Sequence, residues 1–183
     1  MKFKPGQLIK TSWINDEKVS FRCVKAEDTY GLLNHLNGLV KEKAFIGLNR
    51  VLTRREGIKF VEKLLESMKE GDVPLIIEVN KKVVGWGDLR PGRHSRSHVA
   101  EIILSIDKKY RKLGIGTRMI KLLIEIAKSL KIKIISLTVV ANNIAARNLY
   151  KKLGFKEVGK IPEGRRYGNK YYDEILMVKK LVH

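Results

Sequence analysis

Between Val99 and Val140 the hydrophobic pattern changes period twice, and this switch restricts the fold more than any other stretch. Val99 to Ile106 reads as a strand. Ile115, Met119, Leu122, Leu123, Ile126 and Leu130 then recur at helical spacing. Ile134 to Val140 follows as a nearly continuous apolar run, the pattern of a strand covered on both faces. Strand, amphipathic helix and buried strand in that order form a crossover, so the chain is α/β.

The flanking segments supply the other elements. Val19–Val24 alternates as a half-buried strand, and Asp28 is placed to cap a helix through Leu32, Leu33, Leu36 and Val40. Thr53 and Glu56 form a capping box before a helix carrying Ile58, Val61, Leu64, Leu65 and Met68, which Gly71 ends. Val73–Val79 and Val83–Leu89 read as strands of a hairpin turning at Asn80-Lys81-Lys82, followed by a polar loop from Arg90 to Ser97. After the crossover come a helix from Ala145 to Leu153, a stop at Gly154 and a strand from Phe155 to Lys160. A loop holding Pro162, Gly164 and Gly168 leads to a last strand, Tyr171–Lys179. The predicted order is βααβββαβαββ. Residues 1–17, broken by Pro5-Gly6 and turning at Asn15-Asp16, read as an N-terminal extension or edge segment, and 18–183 as a single domain.

Composition narrows the function. The single cysteine, Cys23, excludes a disulfide framework and a cysteine-based zinc site, and no metal site is expected. No apolar run approaches the ~18 residues of a membrane span. The segment from Met1 to Trp13 has no apolar signal core, so a soluble, cytoplasmic protein is expected, with no membrane partner. Against 19 Asp+Glu stand 38 Lys+Arg, a net charge of +19. Nucleic acid, an acidic protein and a polyanionic small ligand are the partners such a charge suits. The charge is also dispersed and Lys-rich, as in thermophile-like compositions whose charges are simply solvated.

The segment Arg111-Lys112-Leu113-Gly114-Ile115-Gly116-Thr117 lies where the strand passes into the helix. Glycines there admit close backbone approach, and the unpaired amides of a helix N-terminus point at an anion. Thr117 offers a hydroxyl; Arg111 and Lys112 offer charge. A dinucleotide fingerprint needs a third glycine where Met119 stands, and the pattern of a P-loop is absent. A plain glycine turn has the same spacing. Further on, Asn143, Ala146 and Tyr150 share one helix face about two turns long. A groove between an amide and a phenol suits an extended, amide-bearing chain, although Asn143 is also placed as a helix cap, with Asn142 as rival.

Together these segments resemble the GNAT superfamily of acyl-CoA-dependent N-acetyltransferases. Arg111, Gly114 and Gly116 fit the family's [QR]-x-x-G-x-[GA] pyrophosphate loop. The stretch from Asn143 to Phe155 is similar to its N-x-x-A-x-x-L-Y-x-x-x-G-F segment. The resemblance implies a mixed, mostly antiparallel sheet of six or seven strands, splayed at the cofactor and flanked by about four helices. It implies acetyl-CoA as cofactor, its pyrophosphate on residues 111–117 (Leu113 and Ile115 included) and its pantetheine on the backbone of Leu104, Ser105 and Ile106. Acetyl transfer to a primary amine (a small amine, an amino acid, or a protein N-terminus or lysine) then runs directly through a tetrahedral intermediate.

By family position Tyr150 is the general acid toward the thiolate. Glu101 is the candidate base, with Asp173 or Glu174 as alternatives, directly or through water. Thr138 stands where ribosomal-protein acetyltransferases of this family carry a base Glu, so their route is not expected. Strand alternation sets Glu101, Ile103 and Ser105 on one face. Tyr172 and Asp173 resemble acceptor-pocket residues, the acidic group attracting a cationic amine. Between Arg147 and Lys170 eight Lys/Arg accompany two Asp/Glu. That cluster suits the cofactor's 3′-phosphate, and it keeps open a different role, an RNA- or ribosome-associated module, or contact with an acidic protein. A monomer or homodimer is expected.

Overall fold

The structure, a computed structural model, describes residues 3–182. The chain forms two compact units. One runs through Arg90 and adds Ile103–Met119; the other comprises Pro91–Ile102 and the chain from Ile120 onward.

The first unit begins with an antiparallel meander of β1 (Leu8–Ile14), β2 (Glu17–Cys23), β3 (Val73–Val79) and β4 (Lys82–Pro91), neighbours in that order. Two of its turns are legible in the sequence. Asn15-Asp16 (φ 47° and 61°) and Asn80-Lys81 (φ 47° and 63°) take the left-handed backbone of two-residue hairpin turns. Residues 8–14, within the segment set apart as an extension or edge, pair with β2 as an eighth strand where six or seven were expected.

Helices α1 (Thr29–Lys41) and α2 (Arg54–Lys69) are inserted between β2 and β3. Their apolar faces close on the sheet in a cluster of Val24, Leu32, Leu36, Val61, Leu64, Ile76 and Trp86, with the Phe60 ring edge-on to Trp86 at 5.4 Å. The expected capping box at α2 is present: Thr53 Oγ1 accepts the Glu56 amide at 3.3 Å, and Glu56 accepts the Thr53 amide at 2.9 Å. The expected cap of α1 is not. Asp28 makes no side-chain cap and instead accepts from Arg22 at 2.6 and 2.8 Å, while Arg22 also donates to Glu78 at 2.8 Å. For a buried carboxylate, a two-pronged charged partner outweighs a helix amide.

The second unit holds the start of β5 (Val99–Ile106), then β6 (Ile134–Val140), β8 (Lys170–Lys180) and β7 (Lys156–Tyr167), neighbours in that order. Val99–Glu101 run parallel to Ile134–Ser136, as a crossover requires; β6–β8 and β8–β7 are antiparallel. The connecting helix α3 (Ile115–Ser129) buries Ile115, Met119, Leu122, Leu123 and Ile126, the stripe read from its spacing. The expected loop around Pro162 and Gly164 is instead strand. β7 continues to Tyr167 with a register shift between Ile161 and Arg165, and the hairpin turns only at Gly168-Asn169. An outermost strand tolerates proline because half its backbone needs no ladder partner. No helix among the described residues is long and apolar enough to cross a membrane.

Candidate active site

In the first unit, β5 ends at Ile106 and a 3₁₀ turn, Lys108–Tyr110, delivers the chain to Arg111. Lys112 (φ 62°) and Gly114 (φ 78°) are both left-handed, which curls the loop so that Ile115 opens α3. The first helix amides have no partner within the helix. Arg118 begins the ladder, its N–H donating to the Gly114 carbonyl at 3.1 Å. Leu113, Gly114, Gly116 and Thr117 are half-buried, while Lys112 is exposed. Arg111 also holds the loop in place. Its Nε donates to the Ile106 carbonyl at 2.9 Å, and its guanidinium pairs with Glu42 just past α1, which offsets part of its charge.

Leu104, Ser105 and Ile106 are half-buried beside β4. Two glycines of β4 make that approach feasible. A Cβ on Gly85 would lie 2.5 Å from the Ser105 carbonyl, and one on Gly87 would lie 3.1 Å from Met119 and 3.3 Å from the Ile103 carbonyl. The Ser105 side chain is held as well. His35 of α1, whose side chain is fully buried, brings Nε2 within 2.8 Å of Ser105 Oγ and Nδ1 within 2.5 Å of Asp107 Oδ1. Sequence reasoning missed His35. Its only signal is a polar residue on the apolar face of α1, between Leu32 and Leu39, and its partners lie about 70 residues away.

In the second unit, α4 (Ile144–Lys152) starts at Asn143, whose Oδ1 accepts the Ala146 amide at 3.3 Å. Asn143 is thus a cap, which leaves its amide NH₂ for other use. Tyr150 is 8% exposed, with its ring 5.8 Å from Phe155. Burial pushes its phenol up to about 12. Glu101 is exposed on β5.

On β8, Tyr172 meets Tyr167 edge-on at 5.9 Å. Asp173 pairs with Lys160 at 2.9 Å and accepts the Glu163 amide at 3.0 Å, and these two partners hold its carboxyl below the usual range. Glu174 is buried and takes Arg165 at 2.5 Å. Four of the eight basic residues from Arg147 to Lys170 are therefore paired with carboxylates. Arg147 and Lys151 share Glu157, Lys160 holds Asp173, and Arg165 holds Glu174.

Residues 47–155 match the sequence profile of the acetyltransferase (GNAT) family. An N-alpha-acetyltransferase of Sulfurisphaera tokodaii is 36% identical over 107 residues, 51% of this chain and 63% of the relative. An L-amino acid N-acetyltransferase, AaaT, of Escherichia coli is 31% identical over 91 residues, 48% of this chain and 54% of the relative. The chain thus spans less than two thirds of the length of these curated relatives. Among solved structures, the protein yncA of Salmonella typhimurium, determined with its cofactor acetyl-CoA, superposes with a TM-score of 0.77 at 19% identity, covering 90% of this chain and 94% of that one, a likeness in fold.

Proposed function

Since the chain belongs to the acetyltransferase (GNAT) family, we propose that it moves an acetyl group from acetyl-CoA directly to a primary amine. The observation that carries this is the 111–117 loop, where left-handed Lys112 and Gly114 turn the chain into the N-terminus of α3. A glycine-bearing loop feeding the leading amides of a helix suits a pyrophosphate. In this reading the pyrophosphate lies on residues 111–117. The pantetheine amides pair with the backbone of Leu104, Ser105 and Ile106, and Asn143 and Tyr150 complete the cofactor contacts.

Acetyl-CoA supplies the activated acetyl group. A lysine-like amine has a pKa of about 10.4 and a peptide N-terminus about 8, so the acceptor must lose a proton before or as it attacks. As the C–N bond forms and the C–S bond breaks, charge collects on sulfur. Tyr150, its phenol at about 12, is fully protonated at neutral pH and donates to that sulfur. A thiol near 8.5 is the stronger acid. Tyr150 therefore works mainly by hydrogen bonding to the developing thiolate, and solvent completes the protonation.

For the acceptor, Tyr172 and Asp173 form one wall. The pairing of Asp173 with Lys160 means that a cationic amine must compete with a resident ammonium. The names of the two curated relatives, an N-alpha-acetyltransferase and an L-amino acid N-acetyltransferase, favour an α-amine over a polyamine. The test is transfer of labelled acetyl from acetyl-CoA to amino acids, N-terminal peptides, lysine peptides and polyamines. Turnover of an α-amine supports the reading, and no turnover of any amine refutes it.

A further inference from the structure

We propose that Ser105, His35 and Asp107 form a proton relay that takes the proton from the acceptor amine, a role for which Glu101, Asp173 and Glu174 are the sequence-based candidates. The inference rests on the acetyl-transfer reading and adds its base.

The arrangement fixes the direction of each hydrogen bond. Asp107 as a carboxylate can only accept, so His35 Nδ1 carries the hydrogen of the 2.5 Å contact. His35 Nε2 is then a bare lone pair, and at 2.8 Å it accepts from the Ser105 hydroxyl. The imidazole is the only neutral base of the three, held in one tautomer by a carboxylate behind it. Its side chain is fully buried, so it reaches a substrate only through Ser105, which is half-buried near the end of β5.

Glu42 lies just past α1, about two helical turns from His35 on the same side, and it is paired with Arg111 of the loop. Arg111 is also tied to the Ile106 carbonyl. From β4 the neighbour of Ser105 is Gly85, which brings no charge. Asp107 is thus the counter-charge that faces the imidazole, and it stabilises an imidazolium when one forms.

Starting from the unprotonated amine, whose ammonium form has first lost a proton to solvent, the proton balance is complete. The amine nitrogen adds to the thioester carbon, and its N–H proton passes to Ser105 Oγ. The Ser105 hydroxyl proton passes at the same time to His35 Nε2. The tetrahedral intermediate collapses, the C–S bond breaks, and the products are an amide, a thiolate and the His35 imidazolium, stabilised by Asp107. The imidazolium returns its proton through Ser105 once product leaves. Ser105 touches the reacting amine, whereas His35 and Asp107 act through it as positioning residues.

The experiment measures kcat/KM against pH, expressed on the concentration of unprotonated acceptor amine so that the acceptor's own ionisation cancels, for the wild type, Ser105→Ala, His35→Gln and Asp107→Asn, with CoA binding followed by calorimetry on each. The wild type should show an acidic limb, because protonating the imidazole disables it. His35→Gln should remove that limb and lower kcat by roughly 10²–10⁴-fold, the range for one acid–base group, with CoA affinity unchanged. Ser105→Ala should lose a similar factor, and it guards against a His35 variant that fails to fold, since it deletes one surface-reaching oxygen. Asp107→Asn should lower kcat with CoA affinity unchanged, because an amide can donate to Nδ1 and hold the wrong tautomer. In ¹⁵N spectra of the wild type, His35 should be the Nδ1–H tautomer. Ser105→Ala at wild-type kcat, an acidic limb surviving in His35→Gln, or the opposite tautomer overturns the relay while CoA binding and acetyl transfer stand. A wild type that acetylates no amine overturns the relay together with the reading it rests on.

Discussion

A Cβ on Gly85 would lie 2.5 Å from the carbonyl oxygen of Ser105, closer than real Cβ atoms approach, so β4 and the end of β5 meet at a separation only glycine permits. Gly85→Ala forces backbone apart at the place where pantetheine is proposed to pair. It should lower stability by about 1–3 kcal/mol, the cost of overpacking, and weaken CoA binding at the same time. Denaturant unfolding together with CoA titration checks both. Lost stability with intact CoA affinity would detach β4 from the cofactor contact.

Tyr150→Phe removes the phenol and keeps the ring that meets Phe155. kcat should fall by roughly 10²-fold with little change in CoA affinity, the signature of an interaction formed as the thiolate develops. The pH dependence has a definite sign. Tyr150 must be protonated to donate, and burial puts its loss of a proton near 12, so wild-type kcat should show no basic limb at pH 10. Steady-state rates from pH 6 to 10 decide it, and a limb near 10 that disappears in Tyr150→Phe would contradict the buried phenol.

Lys160 and Asp173 form an ion pair on the β7–β8 hairpin. Asp173→Asn should raise KM for a cationic acceptor with kcat nearly unchanged, because attraction is lost equally in ground and transition states. Lys160→Met should lower that KM by freeing the carboxylate. If both leave KM untouched, Asp173 serves the hairpin through the Glu163 amide and does not read the acceptor.

At the start of α2, hydrogen bonds from Arg50 and then Thr53 hold the Glu56 carboxyl down to about 2. The unfolded value is about 4.3. Because the folded value is the lower one, this stabilisation is fully present above about pH 5 and drains away as pH falls toward 2. The thermal midpoint of Glu56→Gln should therefore lie below wild type at pH 7 and converge with it near pH 2. The gap should also shrink with salt, since the group is near solvent. A gap constant with pH would contradict the pairing.

These sites differ in how far the sequence discloses them. The capping box at Thr53 and Glu56, the hairpin turns at Asn15-Asp16 and Asn80-Lys81, the α3 stripe and the 111–117 loop are local. Their residues lie within a few positions of one another, and backbone physics relates them. Asp28 and His35 are not local. Asp28 looks like a helix cap because a cap is the nearest partner available, and the Arg22 side chain that claims it is aimed by the β2–β3 pairing, which also brings Glu78. His35 finds Ser105 and Asp107 only once α1 has docked on the sheet, and no spacing rule links those numbers. Pro162 misleads for another reason. It reads as a loop because proline breaks ladders, yet at an outermost strand the missing N–H costs little.

Every step of the proposed transfer depends on residues 111–117 holding the pyrophosphate of CoA. Calorimetric titration of CoA into the wild type and into Gly114→Asp probes that contact, with the thermal midpoint of each protein recorded without ligand. Gly114 sits at φ 78°, and its Cβ would lie 3.0 Å from Arg118 Nη1, so aspartate both strains the turn and sets a carboxylate at the proposed phosphate position. Saturable one-to-one binding to the wild type is expected, and none to a folded Gly114→Asp. Equal CoA affinity in the two proteins, or no binding to the wild type, would contradict it.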